Sequence, residues 1–245
     1  MNEYFNINIE FNHEVILKKI NDKIEINQKG YVCVIDGNVL TTANKDESYK
    51  QIINNSFVNI CDGSSIALLA SKIYNQHFLT YTGPEIFSEY VKKEYKQYFL
   101  GNTKENLIKL QTSFEKSGFN LKLFKFEHLP IKSVKDFDYP KIAKKISEFS
   151  PDIIWISLGA PKQEIFISKL YPFIDKGILF AIGAAFNMFL GDKGNKRAPV
   201  ILRQMHLEWL FRVVLEPKRI GKRAFNYLLI LPRLILDEIK KNNHI

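Results

Sequence analysis

Ile153-Ile154-Trp155-Ile156-Ser157-Leu158-Gly159-Ala160-Pro161-Lys162-Gln163-Glu164 joins an apolar run to a glycine turn, and then opens the amphipathic segment Ile165-Phe166-Ile167-Ser168-Lys169-Leu170. A strand, a tight turn and a helix with polar side chains in its first turn is how an α/β protein presents free backbone N–H groups to an anion. The stretch points to an α/β fold and makes a nucleotide phosphate a candidate ligand.

The same unit recurs on both sides of it: a short β-rich run, a polar turn, then a helical period. Val39–Thr42 reads as a β run that passes through Ala43-Asn44-Lys45-Asp46 into a helix ending near Asn54. Phe57–Ile60 leads through Cys61-Asp62-Gly63-Ser64-Ser65 into a helix from Ile66 to Tyr74, and His77–Tyr81 meets Thr82-Gly83-Pro84-Glu85 before a helix to about Tyr95. Gln97–Leu100 meets Gly101-Asn102-Thr103 before a helix to about Lys116. Leu121–Phe126, a helix from Tyr139 to Phe149, and Gly177–Ile182 with its Gly183-Ala184-Ala185 turn complete the series. Alternation with loops this short predicts a Rossmann-like, mostly parallel sheet with helices on both faces. In such sheets ligands gather beyond the carboxyl ends of the strands, so Thr42, Asn44, Asp62, Gly63, Gly83, Gly101, Gly159, Lys162, Gln163 and Gly183 are expected to line one crevice.

From Pro199 onward the pattern is helical without strands. The expected organisation is an α/β domain over residues 1–196 carrying the crevice, and a basic helical C-terminal appendage over 197–245. The whole chain carries 35 Lys/Arg against 26 Asp/Glu, a formal charge of +9, and residues 197–245 hold ten of the bases against four acids. With 245 residues, 46% of them hydrophobic and 25% charged, the chain can bury a substantial core. Met1-Asn2-Glu3-Tyr4-Phe5 shows no secretory pattern, and no apolar run reaches the roughly 18 residues of a membrane span, so a cytoplasmic location is expected. Cys33 and Cys61 fit neither a disulfide framework nor a zinc spacing, and read as small buried residues.

No GxGxxG or GxxxxGK[ST] occurs, which sets aside dinucleotide dehydrogenases and P-loop enzymes. Asp136-Phe137-Asp138 has the form of a metal-holding triplet but follows no convincing strand. The five histidines show no HxH or HExxH spacing, and no metal is expected. Asp62, a carboxylate on a strand-end turn followed by glycine, is the best candidate for acid–base work; as a residue type it serves equally well as a helix N-cap before Ile66. Thr42 and Asn44 are equally plausible as caps, and Lys162 and Gln163 as solvated first-turn residues.

Several of these segments occur together and in order. Thr42-x-Asn44, Asp62-Gly63, Gly83-x-Glu85, Gly159-x-Pro161-Lys162-Gln163-Glu164, Gly183-x-x-Phe186, Arg197-Ala198-Pro199, Leu207-Glu208-Trp209-Leu210-Phe211-Arg212 and Glu216-Pro217-x-Arg219 together resemble the WecG/TagA/CpsF family of bacterial glycosyltransferases, over about residues 35–225. The resemblance implies inverting, metal-independent transfer of a sugar, often N-acetylmannosamine or its uronic acid, from a UDP donor, with no cofactor. The acceptor it implies is a saccharide on an undecaprenyl diphosphate carrier, in assembly of capsule, teichoic acid or other cell-surface polysaccharide. On that reading Asp62 matches the catalytic base, Thr42, Asn44 and Gln163 match active-site positions, and Arg212, Arg219 and Arg223 match a basic appendage that steadies the departing diphosphate. Two positions depart from the family pattern: Thr80 stands where an arginine is usual and Asn187 where an aspartate is usual, which leaves the donor sugar open.

A lipid-linked acceptor is met at a bilayer. Lys218 to Lys241 combine basic residues with an apolar helical period, so the appendage is expected to dock on the inner face of the cell membrane, with packing of Ala224–Leu236 on the domain or on a second subunit as the alternative. A homo-oligomer is compatible with the family, though no local feature fixes a subunit count. The rivals are a non-catalytic scaffold of a polysaccharide-synthesis complex and a basic nucleic-acid-binding module. No nucleic acid is expected, because Trp209, Phe211, Phe225 and Tyr227 read as apolar-face residues rather than an exposed stacking platform.

Overall fold

The structure, a computed structural model, describes residues 2–191, 199, 202, 211, 213–214 and 216–243, and of Arg219 only the backbone. The chain opens with β1 (Asn2–Tyr4), β2 (Ile7–Ile9), α1 (His13–Glu25), β3 (Lys29–Ile35), α2 (Gly37–Ala43), α3 (Glu47–Asn54) and β4 (Val58–Cys61). It continues through α4 (Ser64–Tyr74), α5 (Gly83–Tyr90), β5 (Gln97–Gly101), α6 (Lys104–Lys116), β6 (Phe124–Glu127) and α7 (Tyr139–Phe149). The remainder comprises β7 (Ile153–Ser157), α8 (Lys162–Leu170), β8 (Gly177–Ala181), α9 (Ala185–Phe189) and a C-terminal helix, α10 (Lys222–Asn242).

Six of the strands form one sheet in the order β4-β3-β8-β7-β5-β6, every pairing parallel, while β1 and β2 make an antiparallel hairpin. Parallel strands are covered on both sides, so they read as unbroken apolar runs, and β5, β7 and β8 are buried along their whole length. Alternate residues serve opposite layers. Tyr31, Cys33, Ile154, Ile156, Leu179 and Ala181 pack with α2, α3, α4, α7 and α8; Val32, Val34, Ile153, Trp155, Ile178 and Phe180 pack with α1, α5, α6 and α9. Trp155 is fully buried, and its indole N–H donates to Gln97 Oε1 at 2.8 Å, so the polar edge of the largest core side chain is satisfied. The free edge of β4 is covered by the segment after the hairpin, where Glu10 N–H donates to Asn59 O at 2.9 Å.

Several expected boundaries move. Val39–Thr42 is not a strand but most of α2, because β3 has just left the sheet and Asp36 caps the new helix by accepting from Val39 N–H at 2.8 Å. The Thr41 and Thr42 hydroxyls donate back to the carbonyls of Gly37 and Asn38, which offsets their β preference. His77–Tyr81 forms no strand, since both edges of β4 are already taken and Tyr81 N–H alone reaches Cys61 O. The helix expected to run to Tyr95 stops at Tyr90, where the buried Gln97 amide takes the carbonyls of Tyr90, Val91 and Lys93. Within Leu121–Phe126 only the last three residues belong to a strand, after a tight turn at Leu121–Leu123. Cys33 and Cys61 are free and buried, as expected.

The end of the appendage lies on the body of the protein. The inner face of α10 places the Tyr227 ring over Gly37, with Cγ only 3.1 Å from where a Cβ would stand, and brings Tyr227 Oη within 3.1 Å of Ser65 Oγ. Leu234 is buried, and the buried Glu238 carboxylate accepts from Phe5 N–H at 2.7 Å and from the Tyr74 hydroxyl at 2.6 Å. Packing on the domain, the alternative to membrane docking, therefore holds for one face of the helix. The opposite face exposes Phe225, Leu228, Leu229 and Leu236 by 53–62%, beside the exposed Lys222, Arg233 and Lys240. Among the described residues no helix is long and apolar enough to cross a membrane.

Candidate active site

Because all six strands run the same way, their carboxyl ends share one rim. Register sets them level: Ile35 pairs with Cys61, Cys33 and Ile156 with Ala181, and Gly101 with Ser157. Along the rim stand Asp62 after β4, Asp36 after β3, Gly183 after β8, Ser157 to Gly159 after β7 and Asn102 after β5. At about 4.8 Å per strand, Asp62 and the Gly183 loop are roughly 10 Å apart, and the full row is about 19 Å long. Helices leave β7 and β5 on opposite faces of the sheet, the arrangement that opens a crevice between neighbouring strand ends.

Gln163 is the lock of this rim. It is 3% exposed, and its Oε1 accepts from Gly159 N–H at 3.0 Å and from Gly183 N–H at 2.9 Å, so one side chain ties the β7–α8 loop to the β8–α9 loop. Gly159 holds φ +76, a left-handed conformation that glycine adopts without a Cβ penalty. Gln163 Nε2 donates to Glu164 Oε1 at 2.9 Å. Glu164 is fully buried, and burial pushes its carboxyl up to about 7, with the nearby Asp36 charge acting in the same direction and the Gln163 and Tyr49 contacts opposing it. Helix α8 begins at Pro161 without a side-chain cap, behind a cis Ala160–Pro161 peptide.

Asp62 is half-buried at the end of β4. Its Oδ1 accepts from Gly83 N–H at 2.9 Å, across to the first residue of α5. The N-cap position of α4 falls on Gly63, so Asp62 stands one residue before the cap. Arg223 Nη2 donates to Ala160 O at 3.1 Å, which brings α10 to the edge of the Gly159 loop. The half-buried Tyr227 hydroxyl, pushed up to about 12 by desolvation, meets Ser65 on the turn that follows Asp62.

The predicted residues divide. Asp62, Gly63, Gly83, Gly159, Gln163 and Arg223 come together along the rim or directly against it. Thr42 and Asn44 fall at the far end of α2, because the strand expected before them is a helix. Asn44 is occupied there, accepting from Asn6 Nδ2 at 3.0 Å and donating to Phe5 O at 3.1 Å, so it holds the β1–β2 turn. Lys162 is turned toward the Phe137 ring, 5.7 Å from its centroid. Arg212 and the Arg219 side chain lie outside the described residues, as do Arg197-Ala198 and Leu207–Leu210.

Sequence reasoning missed Asp36 and Asn38. They follow the true end of β3, and the Asn38 amide nitrogen is buried without a hydrogen-bond partner. The signal was the apolar run Tyr31–Ile35 followed by Asp-Gly, a stronger strand-and-turn pattern than Val39–Thr42. A polar cluster at β5 and β7 was missed as well. Asn102 Nδ2 donates to Ser157 Oγ at 3.1 Å and to Asn187 Oδ1 at 2.8 Å, Asn106 Nδ2 donates to Asn187 Oδ1 at 3.1 Å, and Ser157 Oγ donates to Gly183 O at 2.6 Å. Asp138, of the metal-like triplet, caps α7 by accepting from Lys141 N–H at 3.0 Å. Among the described residues no group of three or more His, Cys, Asp or Glu is arranged to hold a metal ion.

The sequence profile described as "Glycosyl transferase WecG/TagA/CpsF family" matches residues 3–244. A Bacillus subtilis (strain 168) protein named N-acetylglucosaminyldiphosphoundecaprenol N-acetyl-beta-D-mannosaminyltransferase is 26% identical over 233 residues, covering 90% of this chain and 86% of its own. A Staphylococcus aureus (strain NCTC 8325 / PS 47) protein of the same name is 26% identical over 196 residues, covering 78% and 74%.

Proposed function

The chain belongs to the WecG/TagA/CpsF family of glycosyl transferases, and on that premise we propose that it moves N-acetylmannosamine or a related hexose from a UDP donor to a saccharide carried on undecaprenyl diphosphate. The named activity of the relatives supports the acceptor and the sugar class. The observation that carries the chemistry is the placement of Asp62: a half-buried carboxylate at a strand carboxyl end, oriented by Gly83 N–H, on the same rim as the loops that Gln163 ties together.

In a single displacement, Asp62 takes the proton from the acceptor hydroxyl as that oxygen attacks the anomeric carbon. UDP leaves from the opposite face, and the configuration inverts. The leaving diphosphate needs positive partners. The N-terminus of α8 offers backbone N–H groups, and Arg223, anchored at Ala160, stands beside it. These donors are what favours a metal-independent mechanism. Asn187 keeps the cluster intact, because its Oδ1 accepts from both Asn102 and Asn106 as a carboxylate oxygen would, while placing no charge beside the crevice. That neutral position favours a donor sugar related to, but not the same as, that of relatives carrying aspartate there.

The membrane side of the proposal rests on the outer face of α10. Phe225, Leu228, Leu229 and Leu236 lie exposed among basic residues, the pattern of a helix lying in a bilayer interface, and this supports a peripheral position on the inner leaflet. The test is a panel of UDP-sugars assayed against a synthetic polyprenyl-diphosphate saccharide without added metal. Transfer of an N-acetylhexosamine or its uronic acid with inverted configuration is expected, and no transfer from any UDP-sugar overturns the reading.

A further inference from the structure

We infer that Glu164 is a positioning residue: it fixes the direction of the Gln163 amide, and through it the relative placement of the β7–α8 and β8–α9 loops at the floor of the crevice. The effect on loop geometry stands on contacts alone, and the effect on turnover rests on the glycosyl-transfer reading above.

Gln163 offers two acceptor lone pairs and two amide hydrogens. Both lone pairs are used by Gly159 and Gly183 N–H, and one amide hydrogen is used by Glu164 Oε1. A flipped amide would point its hydrogens at two N–H donors and its oxygen at a carboxylate, so Glu164 and the two glycines together allow one orientation. An apolar side chain of similar volume would fill the Glu164 position without desolvating a charge, yet the chain places a fully buried acid there. Its second oxygen, Oε2, makes no hydrogen bond. The Tyr49 hydroxyl, also buried and without one, faces it from α3. Cys33 on β3 and Asp36 at the end of β3 complete the ionisable surroundings of Glu164.

Burial holds this acid near 7, so its charge changes across the neutral range. A carboxylate is a stronger acceptor for Gln163 Nε2 than the protonated acid, whose proton goes to the Tyr49 side because Oε1 faces an N–H donor. The loop lock is therefore tighter above about 7 than below it.

The experiment follows the Gly159 and Gly183 backbone amides by heteronuclear NMR from pH 5.5 to 8.5, in the ligand-free wild type and in Glu164→Gln. The conservative variant keeps an acceptor for Gln163 and removes the charge. Both amides are expected to titrate together near neutrality in the wild type and to stay flat in Glu164→Gln. Amides that do not move in the wild type, or that titrate equally in the variant, overturn the proposal. In parallel, wild-type kcat/KM is expected to fall by about three- to tenfold on the acid side of neutrality, while Glu164→Gln loses that limb and retains turnover within about tenfold at pH 8. An unchanged limb in the variant removes Glu164 from any role in turnover. Absence of transfer by the wild type with the amide titration intact would defeat the glycosyl-transfer reading and leave the positioning role standing.

Discussion

The two halves of the rim are held in different ways. On the β7–β8 side, Gln163, Glu164, Ser157 and the asparagine cluster satisfy one another, and each loop is bonded to its neighbour by side chains from the same α/β body. On the β3–β4 side, the turns carrying Asp36 and Asp62 are covered by α10, more than 150 residues later in sequence, with Tyr227 over Gly37 and against Ser65. One half is held mostly by its own side chains, with Arg223 of α10 reaching only the Ala160 carbonyl. The other is completed by a helix whose outer face is exposed and apolar, so whatever engages that face bears on the half that holds the proposed base.

The largest expected effect is at Asp62. Asp62→Asn keeps an oxygen for Gly83 N–H but cannot take a proton, so kcat is expected to fall by about 10²–10⁴-fold with UDP affinity and melting temperature little changed. Turnover close to wild type would remove Asp62 from its role. Gln163→Leu strands two backbone N–H groups at the other half. A loss of about 2–6 kcal/mol in urea unfolding is expected, from about 1–3 kcal/mol per unsatisfied group. A variant as stable as wild type would show that the lock is dispensable.

Glu164 gives a stability test whose sign is fixed by its raised pKa. A group raised from 4.5 unfolded to about 7 folded contributes its full stabilisation below 4.5 and loses it as pH rises through about 7. The wild type is therefore expected to lose on the order of 3 kcal/mol from this group between pH 4.5 and 8, and Glu164→Gln to lack that decline, measured by urea unfolding at both pH values. The buried charge thus costs stability in the range where it serves as the stronger acceptor, a trade commonly seen at functional sites.

Smaller effects probe the α10 side. Tyr227→Phe keeps the ring over Gly37 and loses the Ser65 contact, for an expected cost of about 0.5–1.5 kcal/mol by thermal unfolding. A cost near that of Gln163→Leu would mean that both halves depend equally on a single residue. Leu229→Glu on the outer face is expected to change stability by less than about 0.5 kcal/mol and to abolish sedimentation with anionic liposomes. Retained sedimentation would place the membrane contact elsewhere.

Much of this architecture is legible from local pattern. Short, largely apolar runs followed within a few residues by Asp, Gly or Asn located β4, β5, β7 and β8, because a strand buried on both faces carries few polar positions. The error at Val39–Thr42 has a local cause: three β-branched residues in four outweigh a helix in propensity, and neither the Asp36 cap nor the back-bonded threonine hydroxyls can be weighed before the end of β3 is known. That reading set Thr42 and Asn44 at a strand end, whereas they close α2, and it left out Asp36 and Asn38 at the true end of β3. At Gln163 the motif marked the residue but not its task, since Gly183 lies 20 residues away and meets it only once β7 and β8 pair.

The sequence by itself determined the class of fold, most of the turns and the carboxylate proposed as the base, because periodicity and turn residues act over a few neighbours. Tertiary structure alone decided which turns share a rim, that Asp62 accepts from Gly83 across to α5, that a buried acid stands behind Gln163, and that α10 keeps one face for the domain and one exposed. Those outcomes depend on strand order and on contacts between residues up to 238 positions apart, and no local propensity encodes such distances.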